Sequence, residues 1–449
     1  MISNTQPNTY KIFYLFIGLI IGSLCFFISP LKTIVVIGGL AVIGVTFFNF
    51  ELGLCLFLFG MAVIPHVLWN NLYSIAAITF YTMVYLIKIV TSDKYGFHLK
   101  VLDFFFLLFA LTMILSSITS ITPKDSLKTM LFYVTALLLV VILTNVINSR
   151  KSLDLIFITL FAAVVVTSVY AIYQGIVGVE VNASLTDIEL NKGMPGRVYS
   201  TLENPNNYAE FLILLVPFCV AYVLNLRDKV KKVLFSAALI LPIIALGLTY
   251  SRSGWIGFAI AVVVFVALKN WRLIPVIFVF GIIAIPFLPQ SIMHRIMTIG
   301  NLQDTSNAYR IYIWKGVLDL MKDFWVTGIG VGPEPFSRVY ANYAALEASK
   351  AAHSHMLFLE IWVEMGIAAF ISFIWFLIRM VKRSLIYIYN GKDIYFTNIL
   401  IAGIAALGGI SFIGLVEYVW FYPRIMLTFW LVMGIMMTSL KLAAGEGEV

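Results

Sequence analysis

The chain has 449 residues, of which 61% are hydrophobic, 15% are aromatic and 12% are charged. Soluble domains carry about 25% charged residues, so this composition excludes a soluble globular protein. The net charge of +8 lies mostly in short loops between apolar stretches. This pattern favours contact with anionic membrane lipid and leaves no domain for nucleic acid.

Apolar stretches of roughly 18 to 25 residues, each long enough to cross about 30 Å of hydrocarbon, recur along the chain. Only helices or closed barrels satisfy their backbone groups in lipid, and the alternating ten-residue strands of a barrel are absent. We therefore predict an all-α polytopic membrane protein with 12 to 14 spans, of which the third is the weakest because it is short. The spans lie near 12–29, 31–48, 51–65, 72–91, 101–121, 125–147, 152–176, 207–225, 231–249, 254–269, 272–289, 357–380, 396–416 and 425–442.

These spans divide the chain into four parts. They are an N-terminal transmembrane bundle (1–176), central transmembrane helices (177–289), an extracytoplasmic segment (290–354) and C-terminal transmembrane helices (355–449). Lys and Arg concentrate in alternate short loops, and the positive-inside rule places those loops in the cytoplasm. The long connections 177–206 and 290–354 then lie on the outer face of the cytoplasmic membrane.

The cysteines and the N-terminal stretch suggest no catalytic or metal-binding motif. Cys25, Cys55 and Cys219 all fall inside predicted spans, which predicts neither a disulfide framework nor a CxxC metal site. The polar stretch before the first span has no small-residue cleavage site, so we expect a retained signal anchor.

The segment 290–354 has a helical pattern of its own. One face carries apolar residues and the other carries charged ones, which predicts an amphipathic helix lying flat at the membrane surface. The apolar positions are Ile311, Trp314, Leu318, Met321 and Trp325. The next stretch, GIGVGPEPF (328–336), predicts a turn rather than a phosphate cradle, because no strand precedes it and no GK(S/T) follows.

Cationic and imidazole side chains occur at the outer ends of three predicted spans, against the positive-inside bias. Arg197 lies in GRVYSTLENPNNYAEF, Arg252 in TYSRSGW and His355 in AAHSHMLFLEIWVEMGI. A single arginine could extend to the lipid headgroups, and His353 with His355 could bind a metal, although no third ligand of suitable spacing follows. For two arginines and a histidine together, extension to the headgroups is a weaker explanation than for one residue alone.

The motifs that carry these residues resemble, in order and layout, the O-antigen ligase and polymerase superfamily, which transfers lipid-linked glycans at the outer membrane face. The resemblance covers the second half of the chain, through GRVYSTLENPNN, TYSRSG, NAYRIYIW, GIGVGPEPF and HSHMLFLEIWVEMGI. It implies that Arg197 and Arg252 hold the pyrophosphate of a polyprenyl-linked donor and that His355 activates the acceptor hydroxyl. Arg310 matches another basic position near that site. Met356 departs from the family, which usually has Asn there.

The resemblance implies an inverting glycosyltransferase that needs no metal or cofactor, because arginines can stabilise the leaving pyrophosphate. Its partners would be a polyprenyl-pyrophosphate-linked glycan donor, a glycan, lipid or protein acceptor, and membrane lipid. We expect an O-antigen ligase-type reaction. A polysaccharide polymerase and a protein O-oligosaccharyltransferase remain open, since these relatives share the same motifs.

A lipid-linked sugar transporter or flippase is the alternative from another class. Transporters place ionisable residues near mid-bilayer in broken, repeated helices, whereas this chain keeps its polar residues near one face. Four acidic residues also fall near that face, and we interpret them as structural partners of arginines rather than as catalytic groups. They are Glu203, Glu210, Glu364 and Glu417.

Overall fold

A computed structural model describes residues 29–92, 95–97, 102–180, 195–287, 289–297, 305–391 and 393–445. These residues form helices and no strands, which confirms the all-α class. Ten helical stretches of the described residues, two of which join consecutive α-helices, are long and apolar enough to cross a membrane, which confirms a polytopic membrane protein. The first predicted span and the expected signal anchor lie outside the described residues, apart from the end of the span.

The α-helices of the described residues are numbered in chain order. They are α1 (Pro30–Phe48), α2 (Phe50–Val63), α3 (Asn71–Thr91), α4 (Phe104–Ile118), α5 (Pro123–Val146), α6 (Arg150–Val177), α7 (Pro205–Asn225), α8 (Lys229–Ala238), α9 (Ile240–Leu248), α10 (Arg252–Asn270), α11 (Ile274–Ala284), α12 (Gln290–Met297), α13 (Thr305–Phe324), α14 (Pro333–Tyr340), α15 (Leu357–Asn390), α16 (Ile394–Ile413) and α17 (Pro423–Ala443).

The chain divides into two compact units, Met1–Phe57 and Leu58–Val449. In the first unit, the hydroxyl of Thr46 donates to the carbonyl oxygen of Val42 within α1. A Cβ atom added at Gly53 would lie 2.1 Å from Oγ1 of Thr46. The two helical segments of this unit therefore meet closely at a glycine.

The centre of the second unit is formed by α7, α16 and α17. In the most apolar 18 residues of α17, 94% are buried, whereas none are buried in the most apolar 18 residues of the stretch Arg252–Phe287. A Cβ atom at Gly409 of α16 would lie 2.6 Å from the carbonyl oxygen of Gly257, so α10 and α16 approach closely there. Exposed apolar side chains on α11, such as Phe280, suit contact with lipid.

Two predicted spans differ in their extent. The span at 231–249 is split at Leu239 into α8 and α9. Pro242 explains the split, because proline has no N–H to donate to the carbonyl of Ala238, where α8 ends. The span at 357–380 continues to Asn390, because residues after the predicted span, including Lys382 and Arg383, are good helix formers.

The cap segment, defined as the described residues 289–297 and 305–356, has a hydrophobic core of its own. Ile313 and Val317 of α13 are fully buried, whereas Leu318 and Trp325, predicted to face the membrane, are 59% and 51% exposed. The inward-facing positions Ile313 and Val317 were not predicted from the sequence, and contact of Leu318 and Trp325 with the membrane stays a prediction. A Cβ atom added at Gly316 would lie 2.9 Å from the Tyr340 ring, so α13 approaches α14 closely there.

The GIGVGPEPF stretch forms a structural turn that fastens the cap segment to α15. Gly366 interrupts α15 with a φ of +78°, and the main chain beside it pairs with the cap segment. The N–H of Ile329 donates to the carbonyl of Val363 at 2.9 Å, and that of Ile367 donates to Trp325 at 3.0 Å. The break in α15 therefore supplies the backbone groups that hold the turn.

Candidate functional site

Two helix starts present polar residues at the end of the bundle that carries the cap segment. Asn204 caps α7 by accepting the N–H of Asn206 at 2.8 Å, and Pro205 occupies the first helical position. Ser251 caps α10 by accepting the N–H of Gly254 at 3.2 Å. These caps place Asn206 and Arg252 in the first turns of their helices.

Arg197 is a buried cation, with 8% of the residue exposed. Its Nε donates to the carbonyl of Thr249 at 2.9 Å, and its Nη2 donates to Oδ1 of Asn206 at 2.6 Å. Burial, together with the charges of Arg295 and Arg252, lowers the pKa of Arg197 to about 9. The guanidinium is still charged at neutral pH, so three cations act on one another here.

Arg295 was not singled out from the sequence. It lies on α12, is 4% exposed, and donates from Nε to the carbonyl of Tyr250 at 3.3 Å. The hydroxyls of Tyr250 and Ser291 lie 3.0 Å apart and hold α12 against the turn before α10. The sequence could have indicated Arg295 only as another arginine in the predicted outer segment, since it lies in no recognised motif.

Glu417 is the carboxylate at the centre of the site. It forms an ion pair with Arg310, and its Oε1 accepts from Nδ2 of Asn206 at 3.3 Å. Burial alone would raise its pKa, but Arg310 and the two histidines outweigh burial and lower the pKa to about 2. The expected arginine partner of Glu417 is thus Arg310.

His355 lies beside this carboxylate. Its Nδ1 is 3.6 Å from Oε2 of Glu417, which is too long for a direct hydrogen bond but suited to a charge interaction. A quarter of the His355 side chain is exposed. Nδ1 faces Glu417, and Nε2 is the ring nitrogen on the opposite side.

His353 supports the backbone of His355. Its Nδ1 accepts the N–H of His355 at 3.1 Å, and its ring packs against Phe421 and Tyr418. Burial, with the charge of His355, lowers the pKa of His353 to about 3, which keeps that nitrogen unprotonated and able to accept. In the described residues, no three His, Cys, Asp or Glu side chains are grouped to hold a metal ion.

The peptide between the two histidines is held on both sides. The N–H of Ser354 donates to Oε2 of Glu360 at 2.5 Å, and Nε1 of Trp314 donates to the carbonyl of Ser354 at 3.0 Å. His355 itself adopts a φ of +54°, which is unusual for a residue with a side chain. The contacts of Ser354 hold the main chain that leads into His355.

Contacts through Asn206 and Glu417 join three of the four predicted site residues, Arg197, Arg310 and His355, and Arg252 lies next to this network. Asn206 joins Arg197 to Glu417, and Glu417 joins Arg310 and His355. Arg252 follows Ser251, whose hydroxyl donates to Oδ1 of Asn206 at 2.9 Å. Arg252 also acts electrostatically on Arg197.

Glu364 corrects one expectation, because its described partners are not arginines. Its Oε1 accepts the N–H of Gly332 at 2.8 Å, and its Oε2 accepts from the hydroxyls of Tyr133 and Tyr418 at 3.3 and 3.4 Å. It anchors the turn of the cap segment. Glu210 is buried beneath the site, and its Oε2 has no hydrogen-bond partner in the described structure.

These features define a polytopic membrane protein with a cation-lined site and a histidine beside a carboxylate. Residues 237–374 match the sequence model of the family described as O-antigen ligase. The match confirms the superfamily resemblance predicted from the sequence and supports a membrane enzyme of the glycosyltransferase type. Arg252, Arg295, Arg310 and His355 lie inside the matched residues. A search of curated proteins finds no match.

Proposed function

We propose that the chain is a metal-independent, inverting glycosyltransferase that acts at the outer face of the cytoplasmic membrane. It would transfer a glycan from a polyprenyl-pyrophosphate donor to an acceptor hydroxyl. The observation that carries the proposal is the network in which Asn206 and Glu417 join Arg197 to Arg310 and His355.

The arginines suit a pyrophosphate leaving group. Arg197, Arg252, Arg295 and Arg310 bring four positive charges toward one site, and Glu417 supplies a single negative charge. A bound pyrophosphate would reduce the repulsion among these cations. Guanidinium groups also match phosphate oxygens in two-point hydrogen bonds and stabilise charge as it develops.

His355 is assigned the proton transfer. The acceptor oxygen attacks the anomeric carbon from the face opposite the phosphate oxygen, and the carbon–phosphate oxygen bond breaks. The acceptor proton passes to Nε2 of His355, and polyprenyl pyrophosphate leaves with the bonding electron pair. Glu417, 3.6 Å from Nδ1, stabilises the imidazolium that forms.

An O-antigen ligase-type reaction is the preferred form of this function, because the matched family carries that description. The polymerase and protein O-oligosaccharyltransferase reactions use the same donor chemistry and differ in the acceptor. Mass analysis of the product made with each acceptor decides among them.

The test is transfer in proteoliposomes that contain purified protein, lipid-linked donor and a candidate acceptor, without an ion gradient. We expect a glycosylated acceptor whose formation continues in EDTA and is lost in His355→Ala. His294→Ala, which changes an exposed histidine on α12, is the matched control and should keep activity. Movement of intact donor across the bilayer without any product would instead support a transporter.

A further inference from the structure

A polar pocket beside the site has no role in the chemistry above. We call it the side pocket. It lies where the loop before α3, the loop before α7 and the start of α17 meet. Its lining residues are His66, Trp69, Asn71, Leu202, Glu203, Asn207, Tyr422, Pro423, Arg424 and Ile425.

The lining has the chemistry that recognises sugar hydroxyls. A hydroxyl both donates and accepts, so its partners include carboxylate and amide groups as well as cations. Glu203 is an exposed carboxylate, and Asn71 and Asn207 supply amides. Trp69 and Tyr422 add aromatic surface that can cover the apolar face of a sugar ring. The carboxylate of Glu203 offsets the positive charge of Arg424 in the same lining, so the pocket has no excess of positive charge that would select a phosphate.

The pocket wall is rigid. Arg424 is 8% exposed, and its Nη1 donates to the carbonyls of Ile64, Met61 and Thr201 at 2.9, 3.3 and 3.3 Å. Its guanidinium also lies 4.9 Å from the centre of the Trp69 ring. These contacts tie two loops to α17 before any ligand arrives, which lowers the entropy cost of binding.

Two features of the pocket are not explained by packing. Nε1 of Trp69 is buried and has no hydrogen-bond partner among the described residues. Glu203 adopts a φ of +66°, a conformation that is costly for a residue with a side chain. Arg424 has a structural role, because it donates to carbonyls at the end of α2. That role explains neither the unpaired N–H of Trp69 nor the φ of Glu203. A ligand could supply the partner that the N–H of Trp69 lacks, and strained backbone such as that of Glu203 is concentrated at ligand sites.

The side pocket adjoins the arginine site. Asn206 faces Arg197 and Glu417, while the next residue, Asn207, lines the pocket. Nδ2 of Asn204 donates to the hydroxyl of Tyr422 at 3.4 Å across the same helix start. A glycan seated in the pocket would therefore lie within one helical turn of the groups that act on its lipid-linked end.

We propose that the side pocket is a glycan subsite that binds a neutral, hydroxyl-rich sugar residue beside the reacting centre. Its place in the reaction rests on the proposed function, but sugar binding can be measured without transfer. The sugar belongs either to the donor glycan or to the acceptor glycan, which share this chemistry.

The experiment measures binding of two probes to the full-length protein in lipid nanodiscs. The first probe is the free glycan released by mild acid from the lipid-linked donor of the producing cells, which lacks phosphate and prenyl groups. The second probe is inorganic pyrophosphate. Saturation-transfer NMR and calorimetry report the affinity for each, and thermal unfolding verifies that each variant is folded.

We expect Glu203→Gln to weaken glycan binding at least tenfold and to leave pyrophosphate binding unchanged. Trp69→Phe should also weaken glycan binding. Arg252→Ala should weaken pyrophosphate binding and leave glycan binding unchanged. Glu334→Gln, which makes the same change on an exposed carboxylate of α14, should alter neither.

A second arm uses glycan cleaved from the acceptor. Binding of the donor-derived glycan alone assigns the pocket to the donor, and binding of the acceptor-derived glycan alone assigns it to the acceptor. The proposal is overturned if neither glycan binds, or if folded Glu203→Gln and Trp69→Phe bind as tightly as the unchanged protein. Glycan binding that depends on Glu203, in a protein without transfer activity, would refute the proposed function and retain the subsite.

Discussion

At the scale of the residue, Glu417 connects the groups that bind charge to the group that accepts a proton. We expect Glu417→Gln to lower kcat about 10²-fold, because the imidazolium of His355 loses its nearby negative charge and Arg310 loses its ion-pair partner. Turnover in proteoliposomes measures the effect. Asp319→Asn, an exposed carboxylate on α13, is the matched control. Full activity in Glu417→Gln would show that the carboxylate takes no part in the mechanism.

The arginines differ from simple cations in geometry. Replacing Arg252 or Arg295 by Lys keeps the charge and removes the planar fork, so we expect kcat/KM for the donor to fall at least tenfold in each. Steady-state kinetics with varied donor concentration gives the values. Arg338→Lys changes an exposed arginine of α14 and should leave them unaltered. Unchanged kinetics in Arg252→Lys would show that charge alone suffices there.

His353 makes the stability of the protein sensitive to acid. Its folded pKa of about 3 lies below the value near 6.5 expected in the unfolded chain, so the unfolded chain binds the extra proton first. Its contribution is fully favourable above about pH 6.5 and declines as pH falls toward 3, by at most about 1.4 kcal/mol per unit. Glu417, with a pKa of about 2, stays ionised in the upper part of this window.

We therefore expect the melting temperature to fall between pH 6.5 and 5, and to fall less in His353→Asn, which keeps an acceptor for the N–H of His355. Thermal unfolding in detergent at a series of pH values measures both. Equal slopes in the two proteins would show that another group is responsible.

At the scale of the element, the break in α15 fixes the cap segment. A Cβ atom added at Gly366 would lie 2.1 Å from the carbonyl oxygen of Val326, and the φ of +78° is unfavourable for alanine. We expect Gly366→Ala to destabilise the protein by roughly 1 to 3 kcal/mol or more. Gly281→Ala on α11 meets nothing within 4 Å and should not destabilise it. Thermal unfolding compares the two variants.

Hydropathy predicted most of the elements, because a membrane span is a local property of about twenty consecutive residues. It could not predict the division at Pro242 or the inward face of α13, since both depend on neighbouring packing. For the site, arginines and a histidine in unusual places marked Arg197, Arg252 and His355. No comparable signal in the sequence indicated Asn206, Arg295 or the central position of Glu417. Distant loops bring these residues together only in the folded chain.

At the scale of the whole molecule, the orientation in the membrane is a prediction from the loop charges. It can be checked by cysteine labelling after Cys25, Cys55 and Cys219 are replaced by alanine. The variant Glu334→Cys places a thiol on α14 of the cap segment, and Lys231→Cys places one on α8. A membrane-impermeant maleimide applied to intact cells with a permeable outer envelope should label position 334, and position 231 only after lysis. The reverse pattern would place the site in the cytoplasm.

The position of Glu417 along the chain has a consequence for biosynthesis. It follows Arg310 by 107 residues, so the ribosome makes all four arginines well before the acid that balances them. We expect nascent chains stalled before residue 417 to crosslink to anionic phospholipid more strongly than longer ones, because their guanidinium groups still lack this counterion. Insertion of the hairpin of α16 and α17 would thus replace phospholipid by Glu417 as the neighbour of the arginines.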